Sequence, residues 1–350
     1  MKRPCFATLA AVGVLAFFIP VASMAQADRA AADFYRGKTV RLLVGFGIGG
    51  GTDTMARQIA RHMGKHIPGN PTVIVENKPG AGGILAGNLI NESESKDGTV
   101  IGVLHENVVI GQAIGRDGIK FDVRRLQWIG SPQRSPGTAC VVSTASGVKN
   151  INELLAGKQV VMGAISPGSG TYDTPVMLNA AIGTTFKLVP GYTSGSALLL
   201  AMQQKETDGW CVNFDSMLLT ARELLEGSNP ALRVVVMVAD KVPDHPLLKG
   251  VPTAESLAKT AEAKQMLQVL QGPTQNLAFP FVVAPEVRKD RVAVLRAAFA
   301  ATLADQEFRS EASKAKMEVD LVTGEEIERV VQKVMATPAP VLAKMKLILK

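Results

Sequence analysis

Aromatic residues make up only 5% of this 350-residue chain, histidines number four and cysteines three, and the charges are dispersed without a lysine or arginine run. Lacking a basic run and interleaved aromatics on which bases could stack, the chain is not expected to take nucleic acid as a partner. One histidine spacing is suggestive, His62 and His66 on an expected helix. The intervening Met-Gly-Lys, however, lacks the glutamate of a zinc-protease helix, and the two read as solvated positions. Ser169 and Ser194 lie in glycine loops but lack the G-x-S-x-G frame of a nucleophile elbow. No catalytic constellation emerges. The chain therefore reads as a binding protein, not an enzyme, with no cofactor and no metal.

The amino terminus sets the compartment. Lys2 and Arg3 precede an apolar run from Cys5 to Ala22, and Ser23-Met24-Ala25-Gln26-Ala27 supplies small residues at the spacing a signal peptidase accepts. Residues 1–27 are therefore expected to be a cleaved signal peptide, with the mature protein periplasmic. Cys5 precedes the apolar core and so is no lipid anchor. Cys140 and Cys211 remain. Export makes a disulfide between them possible, yet each lies in an apolar strand-like run, where a free cysteine packs as a small core residue; both readings stay open. Cleavage leaves a net charge of about +5, which favours anionic small ligands without specifying one.

What the chain does have is glycine, 33 of them, grouped at the ends of expected strands. An apolar strand, Val40 to Val44, runs into Gly45, Gly47, Gly49, Gly50 and Gly51. A helix follows with Met55, Ile59 and Met63 on one face. A second strand, Thr72 to Val75, enters Asn77-Lys78-Pro79-Gly80-Ala81-Gly82-Gly83. Strand ends that deliver glycine loops to helix starts expose backbone N–H groups where the helix dipole favours an anion. Gly45-Phe46-Gly47-Ile48-Gly49-Gly50 also satisfies the dinucleotide fingerprint, with Glu76 near the place of a ribose-binding acid. Asp53 beside the supposed pyrophosphate, and the second glycine loop, argue against that reading.

Alternating strand and helix patterns continue along the chain and predict mainly parallel sheets flanked by helices. A second set of loops, Ser166 to Thr171 and Gly191 to Ser196, falls in the middle of the chain. Ligands of open α/β sheets bind beyond the carboxyl ends of the strands. Each set should thus line the edge of one lobe, and two facing lobes would enclose a small polar ligand. The expected division is residues 28–138 with 240–350 as one lobe and 139–239 as the other.

The ordered pieces Val44 with Gly49-Gly50-Gly51-Thr52-Asp53, Val75 to Gly83, Lys96-Asp97-Gly98-Thr99, Ser166 to Thr171, Pro190-Gly191-Tyr192, Val251 to Glu255 and Ala284-Pro285 resemble the solute-binding receptors of tripartite tricarboxylate transporters, the Bug group. The resemblance implies an α/β, two-lobed type II periplasmic binding fold. It also implies a monomer that closes over a small carboxylate-bearing ligand and delivers it to a membrane permease. It further implies a ligand site at Phe46, Gly49, Gly50, Gly51, Asp53, Asn77, Gly80, Ala81, Gly82 and Asn107 of the first lobe, and at Ser169, Gly170, Thr171 and Tyr192 of the second; Asp215, placed just after a strand, either meets the cleft or caps the helix from Met217. The chain departs from the family at Gly45-Phe46-Gly47-Ile48, where the family has Pro-Phe-x-Pro. It departs again at His105-Glu106-Asn107, where the family more often has small polar residues. Glu106 could meet a ligand amine, or else point to solvent or cap a helix. An exported enzyme on the same scaffold and a receptor for a signalling partner are the competing functional classes.

Mass spectrometry of the protein from the periplasmic fraction should find the chain starting at Gln26 or Asp28. An intact Met1 end in the membrane fraction would contradict the signal-peptide reading.

Overall fold

A computed structural model describes residues 29–315 and 317–349; the expected signal peptide lies outside the described residues. Strands β1 (Thr39–Val44), β2 (Thr72–Asn77), β3 (Val100–Val103), β4 (Gln127–Ser131), β10 (Phe281–Val283) and β11 (Val322–Thr323) form one sheet, in the order β11-β4-β10-β3-β1-β2. Strands β5 (Thr138–Ser143), β6 (Val160–Ala164), β7 (Phe186–Pro190), β8 (Gly209–Asn213) and β9 (Leu232–Val238) form a second, in the order β7-β6-β8-β5-β9. Helices flank both sheets. The chain passes to the second sheet between Ser131 and Thr138 and leaves it after Val238.

The sheets are mainly parallel in strand direction, as expected, with reversed strands inserted in each. β1 pairs in parallel with β2 and β3, and β6 with β7 and β8. β10, antiparallel to β3 and β4, and β11, antiparallel to β4, are the reversed strands of the first sheet, and β5 is antiparallel to both β8 and β9 in the second. Both sheets are mixed because strands arriving from the other half of the chain enter reversed, without a crossover helix. β10 lies between β3 and β4 although it is far from both in sequence. The site depends on the parallel parts, because these place several strand carboxyl ends, and the helices that follow them, along one edge.

Burial explains why these segments fold as they do. Leu42, Leu43 and Val44 of β1 are wholly buried, and so are Met55, Ile59 and Met63 on the inner face of helix Gly51–Met63. Together they form one stripe of the first core. Packing does not simply follow the strands. Helices Ala261–Asn276 and Ala339–Ile348 bury Met266, Leu267, Leu270, Val341 and Met345 in the core of the second sheet, although they come after the return crossing. Thr323 and Glu326 form a reciprocal capping box that starts helix Gly324–Met335 where the short β11 ends.

Cys140 and Cys211 sit directly opposite each other on β5 and β8, fully buried, and are joined in a disulfide. The link closes a separation of 71 residues, so it restricts the unfolded chain substantially. Equilibrium urea unfolding with the disulfide reduced should lose about 2–4 kcal/mol relative to the oxidised protein. Superimposable oxidised and reduced curves would contradict this.

Candidate ligand cleft

Four helices begin at one small cavity between the sheets: Gly51–Met63, Gly170–Ile182, Gly195–Gln203 and Phe214–Leu225. The cavity measures ≈ 40 Å³. Phe46, Gly50, Gly51 and Thr52 line it from the first lobe; Ser169, Gly170, Thr171, Ser194, Gly195, Asn213 and Ser216 line it from the second. His105, Trp210 and Val212 complete much of the wall, and no Asp, Glu, Lys or Arg is among the lining residues. At three of the helices the N-cap residue, Gly50, Ser169 or Asn213, makes no side-chain capping bond. The first backward bonds are Thr54 N–H to Gly50 O at 2.9 Å and those of Tyr172 and Asp173 to Ser169 O at 3.1 and 2.8 Å. Helix geometry therefore leaves the N–H groups of Gly51, Thr52, Gly170 and Thr171 without a helical acceptor. The cavity wall is positive by dipole and neutral by side chain.

Side chains under the loops hold this arrangement. Asn77 donates to Phe46 O at 2.9 Å and to Asp53 Oδ1 at 2.8 Å, while Asp53 Oδ2 accepts Gly49 N–H and Arg57 Nε, each at 3.0 Å. Burial pushes the Asp53 pKa up, but Arg57, Gly49 N–H and Asn77 outweigh it and hold the group below its ordinary value. Glu76 is taken by the Arg41 guanidinium at 2.7 and 2.8 Å, which removes the acid required by the dinucleotide reading. In the second lobe Ser169 donates to Ser166 O at 2.7 Å, Thr171 Oγ1 accepts Ile165 N–H at 2.9 Å, and the two hydroxyls meet at 2.9 Å. Both hydroxyls shape their loop as well as lining the cavity.

The lobes are closed on each other. Gly47 N–H donates to Thr193 O at 3.1 Å, Asn213 Nδ2 to Glu106 Oε1 at 2.7 Å, and Arg116 pairs with Asp173 at 2.7 Å. Gly82 is left-handed at φ +64°, and a Cβ there would run into the backbone of Gly168 and Ser169. Glycine is required at that position on both counts.

Of the residues expected at the site, the structure brings Phe46, Gly50, Gly51, Ser169, Gly170 and Thr171 onto the cavity wall. Gly49, Asp53 and Asn77 brace the first loop from behind. Gly82 makes the interlobe contact beside Gly80, and Ala81 lines an adjoining groove with Arg116, Ser166 and Lys346. Asn107 is buried, its carboxamide facing Gly170 without a partner. The Tyr192 hydroxyl donates to Glu206 at 3.2 Å, and Asp215 lines a separate cavity with Gln133 and Phe214. Sequence reading missed His105, Ser194, Trp210 and Asn213 on the wall. For Ser194 and Asn213 the available signal was their place directly before a helix.

Buried acids ring the junction. Burial raises Glu106 to about 8, Asp173 to about 6 against the opposing pull of Arg116, and Asp215 to about 7 against Ser135 and Gln133. Burial also lowers His105 to about 4, so its ring is neutral at physiological pH.

Two mixed sheets closed over a cavity at their strand ends define a bilobal solute-binding protein of the type II periplasmic kind. Comparison with known proteins agrees. The family model described as "tripartite tricarboxylate transporter family receptor" matches residues 55–347, and the chain belongs to that family. A UPF0065 protein of Bordetella pertussis is 29% identical over 193 residues, 54% of this chain and 58% of that protein. Other curated relatives are matched over smaller shares of their length. Among solved structures, the periplasmic binding protein BugD superposes with a TM-score of 0.68 at 19% identity, over 89% of this chain and 97% of its own. MatC of Rhodopseudomonas palustris with bound malate gives 0.67 at 18%, over 89% and 99%.

Replacing Asn77 by Ala removes three bonds, those it donates to Phe46 O and Asp53 Oδ1 and the one it accepts from Arg57. Urea unfolding should show a loss of about 1–3 kcal/mol. A change within about 0.5 kcal/mol, the ordinary range for a surface substitution, would show that the brace is dispensable.

Proposed function

We propose that the protein is a periplasmic receptor that closes its lobes over a small carboxylate-bearing solute and hands it to the membrane permease of a tripartite tricarboxylate-type transporter, without turning it over. One observation carries this reading: uncapped helix N-termini from both lobes converge on a single cavity whose wall has no charged side chain. Such a wall recognises an anion through backbone N–H groups and hydroxyls, and among the described residues none of its hydroxyls is hydrogen-bonded to His105 as a nucleophile is to its base. Family membership supports the transport role, and the malate held by MatC supports the ligand class. Phe46, Gly50, Gly51, Ser169, Gly170 and Thr171 are the proposed contacts, with Gly49, Asp53, Asn77, Gly80, Ala81, Gly82, Asn107, Tyr192 and Asp215 around them.

A cavity of ≈ 40 Å³ is far below the roughly 300 Å³ at which small-molecule sites begin. The lobes must therefore rotate apart for entry, about the crossings at 132–137 and after Val238.

A screen of mono-, di- and tricarboxylates, malate among them, should raise the melting temperature at pH 6, since a ligand at 100 times its Kd stabilises by about 2.7 kcal/mol. The compound that binds should be recovered unchanged. Gly82→Val should abolish the shift by preventing closure. No shift from any carboxylate, or conversion of the one that binds, would overturn the proposal, and full binding by Gly82→Val would place the cleft elsewhere.

A further inference from the structure

The segment His105-Glu106-Asn107 leaves β3 at the floor of the cleft, and its chemistry is unlike that of the rest of the wall. His105 lines the cavity with its ring tilted against Phe46, centroids 5.4 Å apart. Its Nδ1 lies 3.0 Å from Glu106 Oε2 and 3.5 Å from the Asn107 backbone N–H. A proton on Glu106 Oε2 would leave Nδ1 as the acceptor and place the ring proton on Nε2.

Glu106 lies directly behind. It is wholly buried, with Oε1 accepting from Asn213 Nδ2 at 2.7 Å. Oε2 has no hydrogen-bond partner among the described residues, yet it sits 3.0 Å from His105 Nδ1. An ionised Oε2 there would set a negative charge against a ring lone pair with no water to screen it. A protonated Oε2 would turn a hydroxyl toward the same lone pair. The distance alone would also fit an Nδ1–H donated to a carboxylate; full burial of an oxygen with no hydrogen-bond partner among the described residues is what favours the acid form.

We propose that His105 reads the ligand, donating Nε2–H to its carboxylate, and that Glu106 is the positioning residue behind it, protonated in the closed cleft, so that the anion is bound together with one proton. This rests on the receptor reading above and adds the charge state of what is taken up. The cleft has no side-chain cation on its wall, so an ionised Glu106 beside the ligand carboxylate would place two negative charges in a water-poor space. Across the junction Asp215, from helix Phe214–Leu225, adds negative potential at Glu106, with Glu318 beyond it. Arg116 is engaged with Asp173 at 2.7 Å.

The direction of the pH effect follows from linkage. Burial raises the acid form of Glu106 to about 8 from an ordinary value of 4.5. In an open, hydrated cleft Glu106 ionises at its ordinary value, so closure takes up a proton between those limits. Affinity for an anion should then fall by up to tenfold per pH unit as pH rises through that window. Asp173 and Asp215, raised to about 6 and about 7, titrate in part of the same window, so the Glu106→Gln variant is what assigns the dependence to Glu106.

Two measurements test this, with malate as the probe. Calorimetric titration should give weaker malate binding at pH 8 than at pH 7 by several-fold, and Glu106→Gln should flatten the dependence. Affinity that is unchanged across that interval, or that tightens toward pH 8 as an ammonium-bearing ligand would require, overturns the proposal. The second measurement is made on the closed form. Nitrogen-15 spectra of the malate-bound protein, with His105 assigned through His105→Gln, should show the Nε2–H tautomer and no ring protonation at pH 6. An Nδ1–H tautomer, or a ring that titrates near 6.5 in the bound state, overturns it. If malate fails to bind at pH 6, the receptor reading is judged on the wider carboxylate screen, and both measurements are made with the carboxylate that the screen returns.

Discussion

Everything in this protein turns on helix N-termini left uncapped where strands end. A backbone N–H without an acceptor is costly inside a protein, and most helices satisfy theirs with a serine, threonine or aspartate at the N-cap. Here Gly50 has no side chain to offer. The Ser169 hydroxyl is spent on Ser166 O, and the Asn213 carboxamide bonds to Glu106 and Thr138. The first N–H groups of helices Gly51–Met63 and Gly170–Ile182 are thereby left unspent, whereas Phe214 N–H, at the start of the third, bonds to Gly137 O at 2.9 Å; in the proposed reading the unspent donors serve the ligand. Anion recognition by backbone needs no lysine or arginine in the cleft, so a neutral wall and an anionic ligand are compatible.

The constraint reaches outward from there. The loops must approach the ligand and each other with nothing projecting, hence Gly47 against Thr193 and Gly82 against Gly168 and Ser169. Such loops are soft, and the protein stiffens them from behind with Asp53, Asn77 and Arg57 on one side and the Ser166–Ser169–Thr171 hydroxyl network on the other. Residues conspicuous in the glycine motifs thus divide into those that face the cavity and those that hold the facing ones still. The mixed sheets serve the same end, because their parallel portions carry the site and the antiparallel strands lock each lobe to chain arriving from elsewhere.

Sequence made some of this legible. β1 and the Met55–Ile59–Met63 face could be read because apolar spacing and burial coincide there. The glycine loops could be read because glycine at a strand end has few other uses. Short β10 and β11 escaped, since three-residue and two-residue strands carry no period, and β10 owes its place between β3 and β4 to long-range packing. Asp53 and Asn77 were legible as site residues but not as braces, because motif position does not say which way a side chain turns. His105 and Glu106 stood out as a departure from the family pattern, yet their contact across the lobe junction with Asn213 depends on an approach of segments 107 residues apart. Cys140 and Cys211 posed a question that register alone answers, since β5 and β8 set them opposite each other.

The central claim, that backbone N–H groups at facing helix N-termini hold a ligand carboxylate, is tested most directly by following backbone amide resonances as malate is added at pH 6. The account predicts that the amide protons of Gly51, Thr52, Gly170 and Thr171 shift strongly downfield, together and with a single binding constant. Changes confined to surface lysines and arginines, or to the groove beside Arg116 and Lys346, with those four amides unmoved, would contradict it.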